Sequence, residues 1–193
     1  AQAFGGRLPV RTYKLSGVKL LAPANRDAES RAYDESEIWD GSLTRVAHDN
    51  PAWALYTALL EQRWGLGEFL GVAEPDKWAF YQLGKYCDEL VDDGAGGLEP
   101  RFTLNGALST REQAFDVIQQ LGSVMRALTI WREGAIHVAA DMPADPVKLV
   151  TNANAVDGRF EYAGTGLSAR HTAGSAAYRH REDGFALKRS LSY

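Results

Sequence analysis

The feature that most constrains the fold is a series of three helix signals between residues 49 and 125. The first helix is predicted to begin at Asn50-Pro51, because Asn is a favoured N-cap and Pro has no N–H to leave unpaired in the first turn. The second begins near Pro75-Asp76, after which apolar residues recur at helical spacing. The third begins at a capping box in residues 109–113. This stretch also holds three of the five tryptophans and the only cysteine, so we expect the core here.

The sequence on either side of the helices is typical of short strands. Residues 9–21 alternate between apolar and polar side chains, which predicts a half-buried strand or hairpin. A second hairpin is predicted around the turn dipeptide Glu133-Gly134. Further strands are expected at residues 101–105, 147–151 and 159–163, and residues 22–37 form a polar loop. The predicted fold class is therefore α+β, with three helices packed on short, mostly antiparallel strands.

Composition and charge argue against some classes of protein. The chain has 45% apolar and 24% charged residues, which is ordinary for a globular domain. No stretch approaches the about 20 apolar residues that a membrane span needs, and a net charge of −4 argues against a dedicated nucleic-acid binder. The residues after Ser168 carry +3 and the preceding ones −7. The basic end is interpreted either as a tail that docks on an acidic partner or as a poorly ordered terminus.

Two features are considered as reactive or metal-binding sites and set aside. Cys87 lies in a helical apolar stripe and has no nearby histidine in sequence, so we interpret it as a small buried hydrophobe rather than a nucleophile. The segment 92–97, with Glu99 nearby, resembles a calcium loop only faintly. It lacks the regular oxygen spacing of an EF-hand, and a glycine-rich turn is the preferred interpretation.

The remaining ionisable residues form no recognisable constellation. The four histidines are not spaced as a metal set, and the carboxylates of the second helix fit a solvated face. The residues considered are His48, His137, His171 and His180, with Asp88, Glu89, Asp92, Asp93, Glu112 and Asp116. No nucleophile-elbow, zinc-protease or phosphate-loop pattern is present. We therefore predict no catalytic, cofactor-binding or metal-binding residue, and no cofactor.

The aromatic residues carry more information. Some must be core, yet aromatics also anchor subunit interfaces, and both interpretations stay open. The residues in question are Trp39, Trp53, Trp64, Trp78, Trp131, Tyr33, Tyr56, Tyr81 and Tyr86.

An ordered series of short segments resembles a known family. The segments are Ile38-Trp39-Asp40-Gly41, Asp49-Asn50-Pro51-Ala52-Trp53, Arg63-Trp64-Gly65-Leu66-Gly67, Asp76-Lys77-Trp78-Ala79, Tyr86-Cys87-Asp88, Asp92-Asp93-Gly94, Gly97, Glu99-Pro100-Arg101-Phe102 and Asp141-Met142-Pro143-Ala144-Asp145. Over about residues 7–172 the series is similar to the central, hub region of the tail-tip attachment proteins (host-specificity protein J) of lambda-like siphophages. No single segment is specific, but their ordered combination is.

The resemblance implies a structural virion protein that is not an enzyme. It implies a hub-like domain over residues 1–172 that forms a homotrimer at the tail tip of a phage or prophage, contacts the tape-measure protein and other tip proteins, and is made in the bacterial host cytoplasm. Contact with a host receptor is expected through parts absent from this chain. Residues 173–193 depart from the family pattern and are predicted to be a divergent tail, disordered or frameshifted.

Two alternatives belong to other classes. An envelope- or glycan-degrading enzyme domain would need two carboxylates facing each other across a cleft, for example Asp92 or Glu99 with a distant partner. A sugar-binding module would use exposed tryptophans.

Overall fold

The computed structural model of the chain describes residues 17–70, 74–106, 113–180, 183–184 and 186–192. The chain separates into two compact units, of which the first ends at Pro143 and the second starts at Ala144. The elements of the first unit are β1 (Leu20–Pro23), β2 (Leu43–Val46), α1 (Pro51–Leu60), α2 (Gly67–Leu70), α3 (Lys77–Asp88), β3 (Leu90–Asp92), β4 (Leu98–Pro100), α4 (Ala114–Val124), β5 (Ala127–Arg132) and β6 (Ala135–Ala140). The domain boundary expected after residue 172 stays a prediction.

The helix starts at Asn50 and Asp76 are confirmed. The Asn50 side chain accepts hydrogen bonds from the N–H groups of Ala52 and Trp53, and Pro51 opens α1. The Asp76 side chain caps α3 in the same way. Helix α4 follows Gln113, which makes no side-chain capping bond, while residues 109–112 of the predicted capping box lie outside the described residues.

The strands pair antiparallel in every pair that the described residues contain: β1 with β2, β3 with β4, β5 with β6, and β7 (Gly174–His180) with β8 (Ala186–Ser192). The hairpin around Glu133-Gly134 is confirmed; both turn residues have positive φ, as a two-residue hairpin turn requires. The predicted strand at 9–21 is described only from residue 17 and contributes β1.

Three strand predictions are wrong. At residues 101–105 the N–H groups of Arg101 and Phe102 bond to the carbonyls of Glu89 and Cys87 at the end of α3, so β4 ends at Pro100. Residues 147–151 and 159–163 form no strand, because their alternating apolar side chains meet no buried face; Val147 is fully exposed. Residues 173–193 contain β7 and β8, which the sequence pattern did not predict.

The core lies between the helices and the strands of the first unit. Trp53, Tyr56 and Phe80 are fully buried and meet edge to face, with ring centroids 5.4 and 5.1 Å apart. Helix α1 is buried along most of its length because it packs against α3, α4 and β1. The predicted α+β class, with three helices packed on short, mostly antiparallel strands, is confirmed. Helix α2 is a further, four-residue helix that the sequence pattern did not predict.

The second unit is built from three short 3-10 turns, at Asn152–Asn154, Val156–Gly158 and Leu167–Ala169, followed by the β7–β8 hairpin. Its described side chains are almost all exposed. Within the described parts of both units, the helices are too short or too polar to cross a lipid bilayer.

Candidate functional site

A buried charge cluster joins the loop between β1 and β2 to the end of α3. The Asp88 carboxylate accepts hydrogen bonds from Arg26, Arg31, Tyr33 and Asn50, and these five residues are called the Asp88 cluster. Arg26 donates twice, from Nε at 2.7 Å and Nη2 at 3.0 Å. The other donors lie 2.8 to 3.3 Å from the carboxylate oxygens.

The Asp88 cluster is positioned by the ends of two helices. Asp88 is the last residue of α3, and Asn50 caps α1 with its side-chain oxygen while its amide nitrogen donates to Asp88 and to the carbonyl of Gly84. Arg31 links the cluster to Asp49 at 2.7 Å. One carboxylate thus fixes the loop between β1 and β2 against the start of α1.

The electrostatics of the Asp88 cluster favour the charged form of Arg26. Burial disfavours the charge of Arg26, but its hydrogen bonds to Asp88 and the charge of that carboxylate outweigh this cost, and its pKa is raised. Burial, reinforced by the charge of Asp88, raises the pKa of Tyr33, so the phenol stays protonated and donates. Because Arg26 and Asp88 are almost inaccessible to solvent, the cluster is a structural clamp and not a surface that meets a ligand.

A second feature, which we call the aromatic cleft, opens to solvent. It has a volume of about 380 Å³, and its lining is Glu35, Ser36, Glu37, Ile38, Trp39, Trp78, Tyr81, Gln82 and Lys85. Trp39 stacks on Tyr81 with centroids 4.6 Å apart and meets Trp78 edge to face at 5.1 Å. Helix α3 supplies one wall and the end of the polar loop supplies the other.

The tryptophans divide between core and surface. Trp39 and Trp53 are buried, whereas Trp64, Trp78 and Trp131 each expose about half of their surface. The core interpretation therefore holds for Trp39 and Trp53, and the interface interpretation stays a prediction for the three exposed tryptophans.

Cys87 is buried, as the sequence suggested. Burial raises the pKa of the Cys87 thiol to about 12, which makes it a poor nucleophile. His48 is a loop contact: its Nε2 lies 3.0 Å from the carbonyl of Leu21, and its Nδ1 accepts from the Asn50 N–H. His137 is half-buried on β6 and His171 is exposed.

The glycine-rich segment 92–97 is the turn of the β3–β4 hairpin. Asp92 accepts from the Gly94 N–H, and Asp93 accepts from the N–H groups of Ala95 and Gly97, at 2.7 to 2.9 Å. These bonds orient the carboxylates toward their own backbone. Within the described residues no group of three or more His, Cys, Asp or Glu side chains could hold a metal ion.

Sequence reasoning placed Asp88 on a solvated helix face, and that interpretation is wrong. Its partners Arg26 and Asn50 lie 62 and 38 residues away, so no local spacing could reveal the pairing. A signal was present: Asp88 lies one position after Cys87 and close to the apolar stripe of α3, where an unpaired carboxylate would be costly. The sequence marked Trp39 and Trp78 as candidates for the core or for an interface, but it did not indicate that they are neighbours.

The fold and these two features define an α+β module that a buried ion cluster holds together and that presents aromatic surface to solvent. No protein-family model matches the chain. It is 33% identical over 173 residues to the tip attachment protein J of Escherichia phage SECphi27, a match of 89% of this chain and 14% of that protein. It is 34% identical over 191 residues to the tip attachment protein J of Escherichia phage SECphi4, a match of 96% of this chain and 16% of that protein.

The chain belongs to the tip attachment protein J family, as its resemblance predicted. It spans about a seventh of the length of the curated relatives it matches. The match to the SECphi4 protein covers 96% of the chain and so reaches past residue 172, into the segment predicted to be divergent.

Proposed function

We propose that this chain is a structural component of a siphophage or prophage tail tip, part of the hub that closes the tail tube and supports host attachment. The observation that carries the proposal is the similarity over most of the chain to two proteins named as tip attachment proteins. The chain's role in this assembly is packing and not catalysis. Its proposed location is the virion tail tip, after synthesis in the bacterial host cytoplasm.

The proposed partners are two further copies of the chain, the tape-measure protein and other tail-tip proteins. The β5–β6 hairpin offers a surface for such contacts. Leu128 and Ile130 lie on one face of the hairpin, where their cross-strand partners are Ala139 and His137. They are 66% and 49% exposed. Large apolar side chains grouped on one exposed face are typical of protein–protein contact sites. In a closed homotrimer this face would be covered by a neighbouring copy.

The location is tested by immunogold electron microscopy of purified virions, with antibodies raised against this chain. We expect gold at the end of the tail distal to the capsid. Gold on the capsid or along the whole tail would contradict a tail-tip role.

The homotrimer is tested by size-exclusion chromatography with multi-angle light scattering. We expect a mass three times the 21.1 kDa of the chain, and a shift to the single-chain mass when Leu128 and Ile130 are both replaced by Asp. The matched control is Leu98→Asp on β4, a residue with 68% exposure, which should leave the trimer intact. A wild-type chain that is monomeric at every concentration would overturn this part of the proposal.

A further inference from the structure

The aromatic cleft exposes apolar surface that does not pack into the core. Ile38 is 94% exposed and Trp78 is 48% exposed, and both border the same concavity. The Trp39 and Tyr81 rings that form its floor are already packed against each other. Half-exposed aromatic rings at the edge of a concave surface are the usual apolar contribution to a small-ligand site.

Polar groups converge on the same concavity. The side chains of Glu37 and Gln82 line the cleft and are exposed, and they make no hydrogen bond to the described part of the chain. A carboxylate offers acceptors only, whereas an amide offers both donors and acceptors. Together these groups can serve a ligand that carries several hydroxyl groups.

The charges around the cleft select against an ionic ligand. The Nζ of Lys77 lies 5.7 Å from the Trp78 ring centroid, and the Nζ of Lys85 lies 5.9 Å from that of Tyr81. Two ammonium groups beside the rings disfavour a third cation there. The carboxylates of Glu35, which pairs with Lys85, and Glu37 disfavour an anion. Lys85, Glu35 and Glu37 line the cleft, and Lys77 flanks it at the Trp78 ring without lining it. Together these four side chains carry two positive and two negative charges, which suits a neutral ligand.

The walls of the cleft are held in place before any ligand arrives. The Trp39 Nε1 donates to the Ser42 carbonyl at 2.8 Å, and the Tyr81 hydroxyl accepts from the Asn25 amide at 2.9 Å. A preorganised site loses little side-chain freedom on binding, so modest contacts suffice for measurable affinity.

We propose that the aromatic cleft binds a short neutral saccharide, with one sugar face against Trp78 and hydroxyl groups against Glu37 and Gln82. The cleft volume of about 380 Å³ lies within the range of small-ligand sites. The inference rests on the chemistry of the lining residues and not on the proposed hub role. Its test uses the isolated chain and needs no assembly, so the outcome does not depend on that role.

The test is isothermal titration of the full chain with glucose, galactose, N-acetylglucosamine and their neutral di- and trisaccharides. Choline chloride and sodium glucuronate serve as cationic and anionic probes. We expect saturable binding of at least one neutral sugar, and affinity weakened about tenfold or more by Trp78→Ala, the range of an interface anchor. Gln82→Ala, at an exposed position, should also weaken binding. The matched control is Trp64→Ala, since Trp64 is 47% exposed but lies outside the cleft, and it should leave affinity unchanged.

Three outcomes would overturn the proposal. They are the absence of binding to every neutral sugar, preferential binding of choline or glucuronate, and equal loss of affinity in the Trp64→Ala and Trp78→Ala variants. Far-UV circular dichroism of each variant verifies its fold. If Trp78→Ala unfolds the chain, the Gln82→Ala result decides, because that surface change leaves the aromatic packing intact.

Discussion

Asp88 is the residue on which the buried ion cluster depends. Its replacement by Ala would leave the Arg26 guanidinium buried without a counter-charge, and removing one partner of a buried pair costs about 3–5 kcal/mol. We expect a loss of that size in the free energy of unfolding, measured by chemical denaturation. The neighbouring Glu89 pairs with Arg101 at the surface, so Glu89→Ala should cost no more than about 1 kcal/mol. Equal losses for the two variants would show that the cluster is not a clamp.

Cys87 shows how burial sets the reactivity of a single side chain. Its thiol is fully buried and its pKa is raised to about 12, so almost no thiolate forms near pH 8. We expect the folded chain to react with Ellman's reagent far more slowly than the chain in denaturant, as followed by absorbance. Similar rates in the two conditions would contradict a buried, protonated thiol.

Among the elements, helices α1 and α3 pack at a position that only glycine accommodates. A Cβ on Gly84 would collide with the Trp53 indole. Alanine is favoured over glycine in a helix by about 1 kcal/mol, but overpacking of a core costs about 1–3 kcal/mol. We therefore expect Gly84→Ala to be destabilising in thermal or chemical denaturation. Gly106→Ala, which meets nothing within 4 Å, is the control and should be neutral or slightly stabilising. A Gly84→Ala variant more stable than wild type would refute the close approach.

The junction between β1 and α1 should make stability depend on pH. Burial lowers the pKa of His48 in the folded chain. At a pH between the pKa of the folded state and that of the unfolded state, the imidazole is therefore protonated in the unfolded chain and neutral in the folded chain. Stability is then fully present above the unfolded value of about 6.5 and falls as the pH drops through the folded pKa. We expect the urea midpoint to decrease between pH 7.5 and pH 5.5, and His48→Gln to reduce that decrease. His171→Gln, at an exposed histidine, should leave the pH dependence unaltered; if it matched His48→Gln, burial would not be the cause.

Elements were predictable from sequence to the extent that their signals are local. The starts of α1 and α3 follow from one capping residue each, Asn50 and Asp76, and the β5–β6 turn follows from one dipeptide. The β3–β4 hairpin was missed because Asp92 and Asp93 resemble a helix stop as much as a turn. The Asp88 cluster and the aromatic cleft depend on contacts between residues far apart in sequence, for which a single chain offers no local pattern.

At the scale of the whole molecule, the described core belongs to one of the two compact units. Each buried apolar side chain in it lies between Ala22 and Ile136. The β7–β8 hairpin of the second unit exposes Tyr178, Leu187 and Leu191. A two-stranded hairpin without a buried face is marginally stable in water, so stability should differ strongly along the chain.

This difference is measurable by hydrogen exchange with mass spectrometry on the full chain. We expect the amides of α1 and α3 to exchange slowly and those of β7–β8 to exchange much faster, because little apolar burial opposes local opening there. The β5–β6 hairpin is the internal control, since its strands have similar length but bury Ala127 and Ile136, and its protection should be intermediate. Amides of β7–β8 that exchange as slowly as those of α1 would mean that the second unit is stabilised by more than its own strand pairing. Should the homotrimer form, repeating the measurement above and below its dissociation concentration would separate protection by a neighbouring copy, which disappears on dilution, from protection within one chain.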